Sequence, residues 1–359
     1  MGISNIPTFK IGELELLLIQ GGMGVGISMA GLASAVANEG GMGVIASVGL
    51  NGVRGYSGDY EETSARALRE EIELARSKTT HPERLAVNIM RALTNYESLV
   101  KTAIAAGIGT IISGSAPSLD LPGYESDYRV NRMPIVSSAK AAGTIQKYWK
   151  KKYNYFADGF VVEGFLSGGH QGFKREQIFD PAYALEKLVL EVIEAVKPYE
   201  QEAGRRIPII PAGGIYYGGD IRKFNQLGAA GVQIATRLVT TNECDAHINF
   251  KQAYLDCKKE DIIIIDSPVG LPGRAIRNKF LDEVKSGKRH PVDCPYYCLL
   301  PCKQNESPYC IADALVNAQR GNLDEGFVFC GSNAWRCNEI VSVAQVFQDL
   351  SREYAENKV

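Results

Sequence analysis

The sequence predicts an α/β fold, a (β/α)8 TIM barrel with a smaller, mainly helical lobe inserted or appended. Three observations predict it. Eight short apolar runs recur along the first two-thirds of the chain. Amphipathic segments separate them, and the 359 residues leave about 100 beyond the roughly 250 that such a barrel takes. The runs are Leu16–Gln20, Met42–Ser47, Leu85–Met90, Thr110–Ser113, Pro134–Ser137, Gly159–Glu163, Ile207–Pro211 and Gly231–Ile234. Most are continuously hydrophobic, as parallel strands covered on both faces are, rather than alternating. An open doubly wound sheet is the competing arrangement, and pattern alone does not separate the two.

The intervening helices carry their own punctuation. Ser28–Glu39 opens on Ser and closes on Gly-Gly. Glu61–Lys78 and Ala182–Val196 are charged on one face and apolar on the other, and Asp180-Pro181 reads as an N-cap followed by proline at the first helical position. Residues 1–240 are thus expected to form the barrel. Residues 241–335 form a cysteine-containing lobe, and the amphipathic stretch within 336–359 packs back on the barrel.

Composition excludes several classes. Net charge is −2, with 45% hydrophobic and 22% charged residues, so no basic face awaits a nucleic acid. No run approaches the roughly 18 apolar residues of a membrane span, and Leu14–Ile19 is too short for a secretory signal. We expect a cytoplasmic protein with a small-molecule substrate and no nucleic-acid or membrane partner; a homodimer is a candidate assembly. Eight cysteines in that compartment are not a disulfide framework. Cys294, Cys298, Cys302 and Cys310 are candidate ligands for zinc or an iron–sulfur cluster. Their spacing lacks a C-x2-C pair, so buried, unligated thiols stand as the alternative.

In a barrel, chemistry gathers where strands end. The first run ends in Gln20-Gly21-Gly22-Met23-Gly24, which lets backbone approach a planar ligand. The third carries Asn88, a donor and acceptor for a heterocycle edge. The sixth ends in Glu163-Gly164 and continues to Gly168-Gly169-His170-Gln171-Gly172. An imidazole titrates near neutrality, so His170 is the candidate catalytic acid/base; a hydrogen-bonded loop histidine is the alternative. The seventh gives Pro211-Ala212-Gly213-Gly214, and the eighth gives Gln233-Ile234-Ala235-Thr236-Arg237. Loops at these two positions often hold a phosphate on backbone N–H groups. Arg237 either adds charge there or forms a surface ion pair.

These segments, in this order, resemble the nitronate monooxygenase family, formerly the 2-nitropropane dioxygenases, which includes FMN-dependent enoyl-ACP reductase II-like enzymes and quinone reductases. The resemblance covers about two-thirds of the chain. It implies an FMN-dependent oxidoreductase. Gly22, Met23 and Asn88 would lie along the flavin, and Gly213 and Gly214 would hold the phosphate beside Ala212, Gln233, Ala235 and Thr236. Glu163, Gly168, Gly169 and Lys140 would complete the cofactor site. The family commonly has Gly where this chain has Ala235. His170 falls on the family's catalytic histidine. The substrate is then a nitronate oxidised with O2 or, alternatively, an enoyl thioester or quinone reduced with NAD(P)H as co-substrate. A phosphate-binding barrel without turnover is the reading of another class. Ser267–Ile276 also resembles the family; Arg274 within it would meet a substrate carboxylate or nucleotide phosphate, or form a lobe-to-barrel ion pair.

Overall fold

The computed structural model describes residues 4–289, 294, 296–303 and 306–359. Eight parallel strands form the central sheet: β1 (Ile19–Gln20), β2 (Gly43–Ala46), β3 (Leu85–Met90), β4 (Thr110–Gly114), β5 (Asn131–Val136), β6 (Phe160–Glu163), β7 (Ile209–Ala212) and β8 (Gln233–Ile234). They neighbour one another in the order β1-β8-β7-β6-β5-β4-β3-β2. A parallel bridge between Ile19 and Met42 joins the two ends, with Met42 N donating to Leu18 O at 2.9 Å. The sheet is a closed barrel, and the open doubly wound alternative falls away.

All eight apolar runs hold a strand, most with shifted bounds. The first run serves two sheets. Leu14–Leu16 pairs antiparallel with Phe9–Ile11, and only Ile19–Gln20 enters the barrel. β5 begins earlier than hydrophobicity suggests, because its buried Arg132 finds backbone partners. Its guanidinium donates to Leu121 O, Val130 O and Tyr124 O. One expected alternation fails. Between β4 and β5 the chain makes only a 3-10 turn at Leu121–Gly123, where Pro122 and Gly123 oppose a helix.

Two apolar layers follow from this topology. Val44, Ala86, Ile112, Met133, Val161 and Ile210 fill the barrel, and Phe9, Ile11 and Leu16 of the N-terminal hairpin pack with them. A larger outer cluster joins the strands to the surrounding helices, including Ala30–Asn38, Tyr60–Lys78, Ala139–Tyr153 and Leu185–Ala203. Asp180 caps a 3-10 turn at Pro181–Tyr183 instead of the long helix itself, which starts at Leu185.

The segment after β8 contains helices Ile248–Asp256, Lys279–Lys285 and Ile311–Gln319. It also contains an antiparallel hairpin, Ile262–Asp266 with Pro272–Ile276, so helices alone do not describe it. Asp245 ties this segment to the barrel. Its carboxylate accepts from Met29 N (2.9 Å), Gly31 N (3.0 Å) and Leu32 N (3.1 Å), capping the helix that follows β1. The helix Val343–Glu356 returns to the barrel, where Glu353 accepts from Gly218 N at 3.0 Å. Among the described residues no helix is long and apolar enough to cross a membrane.

Candidate active site

Parallel register sets the strand ends level. Asn88 lies opposite Ala46 and Ile112, and Ala212 lies opposite both Glu163 and Gln233. These ends ring the mouth of a cavity of about 290 Å³. Gly22, Met23, Asn88, Glu163, Gly168, Gly169, His170, Ala212, Gly213, Gly214, Gln233, Ala235 and Thr236 all line it. Lys140 does not; it is exposed on the helix Ala139–Tyr153.

Glycine is required where the walls are thinnest. At Gly22 a Cβ would come 2.4 Å from Asn88 Cβ, so the β1 and β3 ends touch. Gly213 has φ +98°, and a Cβ there would lie 2.9 Å from Ser167 N and 3.0 Å from Gly164 O. Gly214 follows at φ +81°. Such consecutive left-handed residues expose backbone N–H groups to an anion.

His170 is held by the lobe hairpin. Gly169 and His170 pair antiparallel with Arg274 and Gly273, and Gln171 N donates to Pro272 O at 2.8 Å. The Phe329 ring meets the imidazole edge-on at 5.0 Å. Nε2 lies 2.7 Å from Ser267 Oγ, and either atom can donate. Burial pushes the imidazole down to about 4, so it is neutral at pH 7. Burial alone lifts the Glu163 carboxyl to about 7. Two other histidines stand apart from this cavity: His81 pairs with Glu83, and His247 caps a helix at Asn249 N; His290 lies outside the described residues.

For each of two arginines the sequence leaves an anion contact or an ion pair open. Arg237 bonds Glu353 at 2.8 Å and does not line the cavity. Arg274 is 1% exposed and forms no ion pair among the described residues. Its Nη1 donates to Phe165 O (2.5 Å) and Ser167 O (2.8 Å), clamping the loop that carries His170. Burial lowers its pKa to about 10.

Ser267 is the functional partner that reading the sequence missed. It opens the Ser267–Ile276 segment, but nothing local marks a serine 97 residues from His170 as its neighbour. The apolar wall was missed as well: Tyr60, Tyr296, Leu299, Ile311, Leu315 and Val316 close one side of the cavity. No lysine or arginine lines the cavity among the described residues, and no group of three or more His, Cys, Asp or Glu side chains there is set to hold a metal ion.

Comparison with known proteins agrees with the fold. The nitronate monooxygenase family profile matches residues 7–353. A probable nitronate monooxygenase of Staphylococcus aureus is 27% identical over 336 residues, covering 85% of each chain. The solved structure of FabK from Thermotoga maritima superposes with a TM-score of 0.74 at 25% identity, over 96% of this chain and 94% of that one. Nitroalkane oxidase from Streptomyces ansochromogenes shares the fold with a TM-score of 0.73 at 20% identity, over 96% of both chains.

Proposed function

The chain belongs to the nitronate monooxygenase family and is an FMN-dependent oxidoreductase, and from that premise we propose that it oxidises a small nitronate, or the nitroalkane that yields it, with O2. The observation that carries this reading is a neutral imidazole, His170, in the wall of the strand-end cavity.

The residues present fit FMN. Glycine walls leave room beside the backbone, and Gly213 and Gly214 offer N–H groups to a phosphate next to Thr236. Asn88 and Gln233 present amide edges, and Ser167 Oγ is buried in the cavity wall without a protein partner. FMN bound there supplies the electron acceptor and the reactivity toward O2.

The protein's part is proton handling and exclusion of water. When Nε2–H is donated to Ser267 Oγ, Nδ1 keeps a free lone pair. That lone pair accepts the acidic α-proton of a nitroalkane, and the C–H electron pair stays on the substrate as its nitronate. Phe329 and the Arg274 clamp fix the ring's position. Among the described residues the wall meets a nitronate anion with hydrogen-bond donors and no cationic side chain.

Reduction of an enoyl thioester by NAD(P)H is the second reading, supported by the apolar wall of Tyr296, Leu299, Ile311, Leu315 and Val316, which suits an acyl chain. Anaerobic mixing separates the two. The first reading predicts that propionate 3-nitronate or a nitroalkane bleaches the flavin, that O2 restores it, and that NADH with a crotonyl thioester gives no turnover. Rapid bleaching by NADH with reoxidation by the thioester would replace the first reading with the second.

A further inference from the structure

Four thiols stand outside the proton chemistry just described. Cys294, Cys298, Cys302 and Cys310 line one small cavity, completed by Ser307, Tyr309 and Ile311. The loop bearing them is stapled to the turn after β3. Thr94 N donates to Cys298 O at 3.1 Å, Leu300 N to Ala92 O at 2.9 Å, and Thr94 Oγ1 to Tyr297 O at 2.9 Å. These bonds hold the Tyr297–Leu300 stretch, and Cys298 with it, against the barrel. Cys298 and Ile311 also line the large cavity, so the two cavities share a wall.

A thiophilic metal cation takes neighbouring sulfurs of this kind as ligands and releases their protons. Elsewhere, Cys244, Cys257 and Cys337 donate to the carbonyls of Ile27, Lys258 and Thr236, and Cys330 lines the large cavity.

We propose that Cys294, Cys298, Cys302 and Cys310 ligate a thiophilic metal centre, an iron–sulfur cluster or a zinc ion, in the wall of the flavin cavity. Loading a zinc ion, or a preassembled cluster, forms four metal–sulfur bonds to the chain and releases four protons. The side chains do not already converge on one ion position, so loading includes rotation of the thiols inward.

The test uses the full-length chain purified without oxygen or chelators. Iron, acid-labile sulfide, zinc and FMN are each measured per chain. We expect either iron with matching sulfide or zinc, near stoichiometric. C294S and C302S, at partly exposed positions, should lose most of that metal and keep FMN; C257S should keep both. Iron with sulfide identifies a cluster, and zinc alone identifies a mononuclear site. The proposal is overturned if the wild-type chain holds neither and takes up neither from ferrous iron with sulfide or from zinc. It is also overturned if C294S and C302S retain the wild-type metal. Loss of FMN from the wild-type chain would count against the flavin reading and leave this one standing.

Discussion

Lowering the pH probes the role of His170 through a number that the structure supplies. Burial holds the imidazole at about 4, against the ordinary 6.5. At about pH 5, a base of the lower value is about 90% neutral and one of the ordinary value about 3%. The available base then differs about thirtyfold between the two cases. The assay is the second-order rate of anaerobic flavin reduction by a nitroalkane between about pH 4 and 8. Glu163 faces the same cavity with its carboxyl lifted to about 7, so the profile is recorded for the wild type and for E163Q. In E163Q the rate should stay level down to about pH 5 and fall only on approach to about 4. His170→Asn should lower the level rate by about 10²–10⁴ while FMN content is unchanged. A rate that already falls below pH 6.5, or that survives H170N, would refute the reasoning.

Three further perturbations follow from the same geometry. Glu163 has a folded-state value of about 7, above its ordinary 4.5, so its contribution to stability is present below about 4.5 and lost as pH rises through about 7. His170 is the reverse: its contribution is present above about 6.5 and lost as pH falls toward about 4. In flavin-free protein, E163Q should therefore gain up to about 3 kcal/mol over wild type at alkaline pH and nothing near about pH 4, read by thermal unfolding; an equal gain at both ends would contradict this. Gly213→Ala meets both a positive φ and two backbone atoms within 3.0 Å. Strain of about 1–3 kcal/mol should weaken FMN binding by about 5- to 150-fold in a fluorescence titration, and unchanged affinity would contradict the phosphate role of this turn. Asp245→Ala removes three N–H bonds at the helix after β1 and should cost about 1–2 kcal/mol of stability; an unchanged melting temperature would show that the cap is dispensable.

The barrel was legible because its strands are buried on both faces and therefore read as unbroken apolar runs. The residues ringing the cavity were legible for a related reason: a strand's last residue and the glycines after it are fixed by local chain direction. What sequence could not show is which distant elements meet. The run Ile262–Ile265 is as β-prone as any barrel strand, yet its partners are Pro272–Ile276 and, beyond that, the loop of Gly169 and His170. That pairing makes Arg274 a backbone clamp and brings Ser267 to the imidazole. Lys140 shows the converse. The family resemblance suggested it for the cofactor site, but it lies exposed on its helix.

We place FMN in the strand-end cavity with Gly213, Gly214 and His170 in its wall. The most direct measurement is the identity and amount of the chromophore released from gently purified protein, by absorption and mass. One FMN per chain, released on denaturation without a covalent bond, is the predicted result. A colourless chain that takes up no added FMN would contradict it.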